Sequence, residues 1–572
     1  MKQKIIIYQV LPRLFGNDNS RCVPHGDKRT NGCGKLSDFT TQALNEIKEL
    51  GCTHVWFTGV IEHATQTAYE NIGIPADHPA IVKGKAGSPY AIKDYYDIAP
   101  DLADNPAHRM NEFENLVKRT HRAGLKVIID FVPNHVARQY HSDVQPPEVA
   151  QLGQEDDETQ AFAPHNNFYY IPHTAFQGNF DLQNGANVPY FEMPAKATGN
   201  DCFTASPGRN DWYETVKLNY GVDYGTGLKH FAPIPRTWQQ MLHILHFWAS
   251  KGIDGFRCDM AEMVPVEFWA WAIGRLKHSY PEILFIAEVY QPALYRSYLQ
   301  EGGFDYLYDK VGLYDTLRAV ACGYGSATAI SGCWQSLNGL EQRMLNFLEN
   351  HDEQRIASDF FAGNSEKGIP ALIASACMNT NPFMIYFGQE LGERGMDSEG
   401  FSGCDGRTTI FDYWSVDSVR CWRNKGKFDG RLLTPQQKEL REVYHRVLTL
   451  CNREKAIREG LFFDLMYVNH NGWRFNEHRQ YTFLRKAENE LLFIAVNFDN
   501  TPVHVAINLP SHAFDYLQVA QQESCQAVDL LTGCTEELSL LPYRATEFSI
   551  PAHGGRIWKI TWEKAPLSET EK

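Results

Sequence analysis

The chain has 572 residues, 43% of them hydrophobic and 22% charged, enough apolar material for more than one core, so two or three domains are expected. A net charge of −15 without clustered Lys and Arg excludes nucleic acid and other acidic polymers as partners and leaves a neutral ligand as the best fit. No apolar stretch reaches the length of a bilayer span, which excludes a membrane partner of that kind. The 13 cysteines contain no CxxC pair and read as free thiols in a reducing compartment, so a cytoplasmic location is expected.

In chain order, the N-terminal MKQKIIIYQVLPRLF has an apolar run of only four residues before Gln9, with Pro12 and Arg13 close behind. That makes a poor signal peptide, and a strand from Ile5 is expected instead. Strand-like runs at 5–10, 53–57, 126–131, 255–258, 284–287, 304–307, 345–348 and 383–387 alternate with amphipathic stretches. This is the pattern of βα units in a parallel sheet, and eight strands close a barrel. SDFTTQALNEIKELG is expected to be a helix capped by Ser37 or Asp38, and NEFENLVKRTHRAG a helix ended by its glycine. After His135 the next convincing helix is RTWQQMLHILHFWASKG. Residues 136–235, rich in Asn, Gly, Pro and aromatics, are therefore expected to form an irregular domain inserted over the barrel mouth, with Trp212 and Tyr213 lining a cleft or forming the insert's own core. The barrel domain is expected to span 1–455. Beyond a helix at 436–452, alternating segments such as YTFLRK, LLFIAVNF and VHVAINLP describe an antiparallel β-sandwich over 456–565, and EKAPLSETEK a frayed polar tail. The fold class is α/β: a (β/α)8 TIM barrel with an insert after the third strand and a C-terminal β-sandwich domain.

Four apolar runs each end on a carboxylate or histidine: VIIDFVPNH at His135, GFRCD at Asp259, FIAE at Glu288 and FLENHD at Asp352. Strand ends converge in a parallel barrel, so these groups are expected to share one pocket. Strand alternation puts Arg257 and Asp259 on one face, where an adjacent cation keeps the carboxylate ionised, as a nucleophile requires. Glu288 follows Phe285, Ile286 and Ala287, and apolar surroundings raise a carboxyl's proton affinity, as suits a general acid. Two carboxyls pushed in opposite directions are the signature of glycoside hydrolysis. Asp352 is a third carboxylate, placed to oppose developing positive charge, and His135 and His351 are placed to donate to sugar hydroxyls.

With these motifs in family order, the chain resembles the α-amylase family, glycoside hydrolase family 13. The resemblance rests on DFVPNH (130–135), GFRCD (255–259), the Glu of AEVY and ENHD (349–352), supported by IYQVLPRLF, SPYAIKDYY and FMIYFGQELG followed by GRTTIFDY. It implies Asp259 as nucleophile, Glu288 as acid/base and Asp352 as transition-state stabiliser. It further implies sugar binding by Arg257, His135 and His351, stacking by Tyr90, and support from Asp94 and Asp130. The implied substrate is an α-glucan or maltooligosaccharide, cleaved at α-1,4 bonds with retention and without an organic cofactor. Calcium is the implied metal, with Asn134 matching one ligand. Two positions depart from the family. The Lys-His that usually follows the nucleophile by three and four residues is Glu262 and Met263, and the short motif near the end of the insert is replaced by KLNYGVDY, with Asn219 and Asp223 as its polar candidates. The first departure keeps open a transglycosylase or isomerase acting on trehalose- or sucrose-type substrates. An inactive sugar-binding or structural relative is expected to lack one of the three carboxylates, and all are present. Oligomeric state is not legible.

Overall fold

The computed structural model describes residues 3–562, so the segment expected as a frayed tail, 563–572, lies outside the described residues. Eight strands, β1 (Ile6–Val10), β2 (His54–Phe57), β3 (Lys126–Phe131), β4 (Gly255–Cys258), β5 (Leu284–Ala287), β6 (Tyr306–Tyr308), β7 (Met344–Phe347) and β8 (Phe383–Tyr386), close into a barrel. Each pairs in parallel with its neighbours in sequence, and β8 pairs with β1. All eight are the apolar runs expected from the sequence, with ends displaced by one or two residues.

The two faces of each strand do different work, because successive side chains point to opposite sides. Ile7, Trp56, Ile128, Ile286, Tyr308, Leu345, Phe347 and Met384 fill the barrel interior. Their neighbours Ile6, Val55, Ile129, Phe256 and Phe285 join the larger core under the surrounding helices. Helix α1 (Thr41–Glu49) is capped by Thr40, whose hydroxyl accepts from the Ala43 amide, rather than by Ser37 or Asp38. Asp38 is already engaged: its carboxyl accepts from the Lys35 amide at 2.6 Å across a 3-10 turn. Helix α2 (Arg109–Arg122) buries Phe113, Leu116, Val117 and Thr120, the stripe that 3.6 residues per turn produces, and Gly124 follows it at φ +78°.

Between β3 and helix α3 (Arg236–Ser250) the chain forms three short antiparallel pairs: His135–Ala137 with Thr215–Lys217, Tyr170–Ile171 with Ala195–Lys196, and Val222–Asp223 with Leu228–Lys229. A small core of Phe176, Tyr190, Ala195 and Ala205 supports this stretch and draws in Ala80 and Ile81. Toward the C-terminus, six antiparallel strands form one sheet, and Val503–Ile507 pairs with Thr546–Ile550 in a second. Phe548 of the second sheet packs edge-on against Phe493 and Trp558 of the first, giving the sandwich its core. Among the described residues no helix is long and apolar enough to cross a membrane.

One buried arginine helps to fasten the C-terminal sheet to the barrel. Arg485 is fully buried and donates to the carbonyls of Ala456, Met378, Ile457 and Gly460 at 2.9–3.0 Å. A guanidinium suits this task because its planar fork presents five donors at once. Arg485→Met keeps the stem but orphans four carbonyls, and an unmet buried acceptor costs about 1–3 kcal/mol. Denaturant unfolding is expected to show a loss of roughly 3 kcal/mol or more for the transition that exposes Trp558.

Candidate active site

The four motif carboxylates and histidines meet at the C-terminal ends of the barrel strands. Asp259 and Glu288 continue the barrel ladder one residue beyond their strands: the Asp259 amide donates to Phe131 O at 2.9 Å and the Glu288 amide to Cys258 O at 3.1 Å. At their centre is Arg257, fully buried, which points inward from β4 as strand alternation requires. Its Nη1 donates to Asp259 Oδ1 at 2.7 Å, its Nη2 lies 2.7 Å from Glu288 Oε2, and Asp130 Oδ1 is 3.4 Å away. Its Nε donates to the Tyr308 hydroxyl at 3.1 Å, and the rings of Trp56, Tyr90 and Tyr308 lie 5.2–5.5 Å from its centre. Three carboxylates therefore share one cation, and the pocket keeps an excess of negative charge.

This sharing changes the electrostatics from those expected of the sequence. Burial pushes the Asp259 carboxyl well above the usual range, Arg257 pulls it down and the neighbouring Glu288 pushes it up. Glu288 does not sit in the apolar setting that its preceding residues imply. It accepts from the Met260 amide at 2.9 Å and from the Tyr290 hydroxyl, besides facing Arg257. Strand alternation accounts for the difference, since Phe285 and Ala287 turn outward while Glu288 turns in. Asp259 therefore holds a proton to higher pH than an isolated carboxyl, because burial and the neighbouring Glu288 outweigh the guanidinium. Asp352 differs: burial raises it, but His351 and Arg257 outweigh burial and hold it at about 2. With 43% of its side chain exposed, it faces the open side of the pocket.

The remaining residues named by the sequence divide. His135 Nε2 lies 4.0 Å from Asp259 Oδ2, and His351 Nε2 lies 3.1 Å from Asp352 Oδ2. Burial pushes the His135 imidazole down to about 3, so it is neutral. The Tyr90 ring stacks on His351 with centroids 5.0 Å apart. Asp130 accepts from Trp56 Nε1 at 3.0 Å and from the Gly59 amide at 3.4 Å, which makes it a brace for Arg257. Gly59 has φ +73°, and a Cβ there would meet Pro89 at 2.7 Å, so the close approach requires glycine. Trp212 lies against His135, centroids 5.2 Å apart, whereas Tyr213 packs on Phe180 inside the insert. Asp94 does not join the pocket: it accepts from the amides of Tyr96 and Asp143, both at 2.8 Å. Asn219 donates to the Ala163 carbonyl and accepts from the Gly221 amide within the insert.

Asn134 corrects the calcium expectation. Its Oδ1 accepts from Lys217 Nζ at 2.8 Å, its Nδ2 donates to Gly199 O at 2.8 Å, and Lys217 is paired with Asp201 at 2.5 Å. A buried ammonium faces the oxygen expected to bind the metal, and it ties the barrel to the insert there. This donor set does not fit calcium, which takes six to eight oxygens and repels a neighbouring cation.

Several site residues were not singled out in the sequence. Gln9 Nε2 bonds His351 Nδ1 at 2.8 Å, fixing that ring from β1. Tyr290 is two residues beyond Glu288, on the same face by alternation, and that spacing was the available signal. Glu262, standing where the family usually has lysine, accepts from the amides of Tyr290 and Gln291 at 3.0 and 3.1 Å and so pins the loop after Glu288. Met260 sits at φ 43°, a strained value for a non-glycine residue, held by its hydrogen bond to Glu288. A cavity of about 1000 Å³ lined by Trp334, Phe462 and Phe463 lies away from all of these groups.

Residues 9–425 match the family model described as Alpha amylase, catalytic domain. Alpha-amylase 3 of Dictyoglomus thermophilum is 23% identical over 484 residues, covering 80% of this chain and 78% of that protein. Alpha-amylase MalA of Haloarcula japonica is 25% identical over 394 residues, 68% of this chain but 44% of that larger protein. An alpha-amylase structure from Geobacillus thermoleovorans, complexed with acarbose, superposes with a TM-score of 0.63 at 18% identity, covering 98% of this chain and 99% of that one. At that identity the likeness shows the fold. Lys217→Met is expected to cost about 2–3 kcal/mol in thermal or denaturant unfolding, and added calcium should not change that difference between variant and wild type.

Proposed function

Because the chain belongs to the α-amylase family, as the match over residues 9–425 shows, we propose that this glycoside hydrolase cleaves α-1,4 bonds of maltooligosaccharides or related α-glucans with retention. The observation that carries the reading is one buried guanidinium gripping both Asp259 and Glu288 at 2.7 Å. Bridging by a single guanidinium favours the short carboxyl separation of retaining enzymes, about 5–5.5 Å, over the roughly 6.5–9.5 Å that leaves room for water in inverting ones.

In the proposed cycle, Asp259 attacks the anomeric carbon and forms a glycosyl ester, while Glu288 gives its proton to the departing glycosidic oxygen. Glu288 then takes a proton from water, which attacks the same carbon and releases Asp259. The cycle requires Glu288 to enter the first step as the acid and Asp259 as the carboxylate, and Tyr290 and the Met260 amide hold the Glu288 carboxyl in place. Positive charge developing on the sugar ring is met by a pocket with more carboxylates than cations, Asp352 included. His135 and His351 offer donors to ring hydroxyls and Tyr90 an apolar face, while Arg257 acts through the carboxyls it holds. Neighbouring structures are titled as complexes with acarbose, maltose and maltotriose, which supports a maltose-type ligand. Other relatives are named neopullulanase and maltosyltransferase, so water and a sugar hydroxyl compete as acceptors in this reading. A product time-course on maltooligosaccharides separates the two: hydrolysis yields only shorter products, whereas transfer yields longer ones as well.

Variants test the roles. Glu288→Gln should lose about 10²–10⁴-fold in kcat/KM on maltooligosaccharides, yet recover most of it on α-glucosyl fluoride, whose leaving group needs no proton. Asp259→Asn should be inactive on both. Equal recovery in the two variants contradicts the assignment.

The pH profile follows from the nucleophile. The proton affinity of Asp259 is raised, so its ionised, attacking form is missing below that raised value and appears as pH climbs through it. The acid limb of kcat/KM should therefore lie above the ordinary aspartate pKa of about 3.9. Asp352, held at about 2, remains ionised across the working range and should not produce the acid limb.

A further inference from the structure

A second group of carboxylates lies outside the pocket, where strand Ile61–His63 pairs antiparallel with Ile92–Ile98. The register of this pair slips on both sides of Glu62, and Glu62, Asp94 and Asp97 turn into one buried space. One oxygen from each lies within 4.8 Å of the other two. We propose that Glu62, Asp94 and Asp97 bind a divalent cation of calcium type, which fastens the beginning of the insert to this strand pair.

Glu62 is 1% exposed, and neither of its carboxyl oxygens has a hydrogen-bond partner. A buried carboxylate left in that state costs several kcal/mol, so the arrangement calls for an occupant. No cation among the described residues pairs with Glu62. Arg109 is paired with Asp97 and leaves its Nε unmet, while Lys93 is held by Asp77 at 3.2 Å and by the Pro75 carbonyl at 2.8 Å. Three carboxylates against one paired guanidinium leave an excess of two negative charges, the charge of a divalent ion.

The donors are all oxygens, which selects a hard cation over zinc or copper. Ser142, on the first stretch of the insert, adds a buried hydroxyl that lies beside Asp94. With both Glu62 oxygens, Asp94, Asp97 and Ser142, the site approaches the six to eight oxygens of calcium. Separations up to 4.8 Å are spanned by two bonds of about 2.4 Å. The Asp143 amide donates to Asp94, so the ion would lock 142–143 against the strand pair. Burial and the two neighbouring aspartates push Glu62 up to about 9, so a proton is the competing occupant.

The test uses the full chain after chelation, with calcium, magnesium and terbium as probes. Calcium is expected to raise the Tm saturably by several degrees and magnesium to do less. Terbium should give luminescence sensitised by neighbouring tyrosines such as Tyr96 and displaced by calcium. Glu62→Gln keeps the shape and should bind terbium at least tenfold more weakly, with activity per folded molecule unchanged at saturating substrate. Absence of terbium emission in the wild type overturns the proposal, as does an identical calcium response in wild type and variant. A Glu62→Gln protein more stable than wild type and indifferent to calcium identifies the proton as occupant and also overturns it. Since binding and stability are the readouts, failure here leaves the proposed reaction standing, and loss of the proposed reaction leaves this site untouched.

Discussion

The placement of Arg257 is the constraint on which the rest of the pocket depends. A guanidinium taken wholly out of water is costly unless it is paired, and here Asp259, Asp130 and Tyr308 accept from it while the Glu288 carboxylate lies 2.7 Å from its Nη2. Those partners come from β3, β4 and β6 and from the loop after β5, so the cation sets the relative positions of residues that lie far apart in the chain. Its own position is fixed by strand pairing: Arg257 stands opposite Asp130 on β3 and Ile286 on β5. The barrel's hydrogen-bond register thereby becomes the geometry of two carboxyls.

Sharing one cation has an electrostatic price that suits the proposed chemistry. The pocket holds more carboxylates than cations, so burial and the nearby Glu288 push the Asp259 carboxyl up and net negative charge remains. A neutral sugar binds without conflict, and the charge it develops as the bond breaks is what the pocket lacks. Around this centre lie fixed supports: Gln9 on His351, Tyr290 and the Met260 amide on Glu288, and Glu262 on the loop behind them. Where the family usually has lysine, Glu262 puts a carboxylate that serves two backbone amides.

Much of this was legible from the chain. Eight apolar runs with β-branched residues and period-two alternation gave the barrel, and the charged residue ending each of four runs gave the pocket. What escaped depended on contacts distant in sequence. Glu288 looks apolar from its preceding residues, but strand alternation sends Phe285 and Ala287 outward and brings a guanidinium to the carboxyl. Asp94 belongs to a matching motif, yet the fold carries it to a different carboxylate group with Glu62 and Asp97. Asn134 likewise fits a metal-ligand position, but Lys217, more than eighty residues later, fills its oxygen with an ammonium. Neither Thr40 nor Tyr290 lacked a sequence signal: each lies within three residues of the group first named, and only local hydrogen bonding decides between neighbours.

The central claim is that a single guanidinium holds two carboxyls at the separation that gives a covalent intermediate. The most direct measurement is the anomeric form of the first sugar released from a maltooligosaccharide, followed by proton NMR before mutarotation. The account predicts the α-anomer, formed by two inversions at the anomeric carbon, the first by Asp259 and the second by water. Initial release of the β-anomer means a single displacement by water and contradicts it.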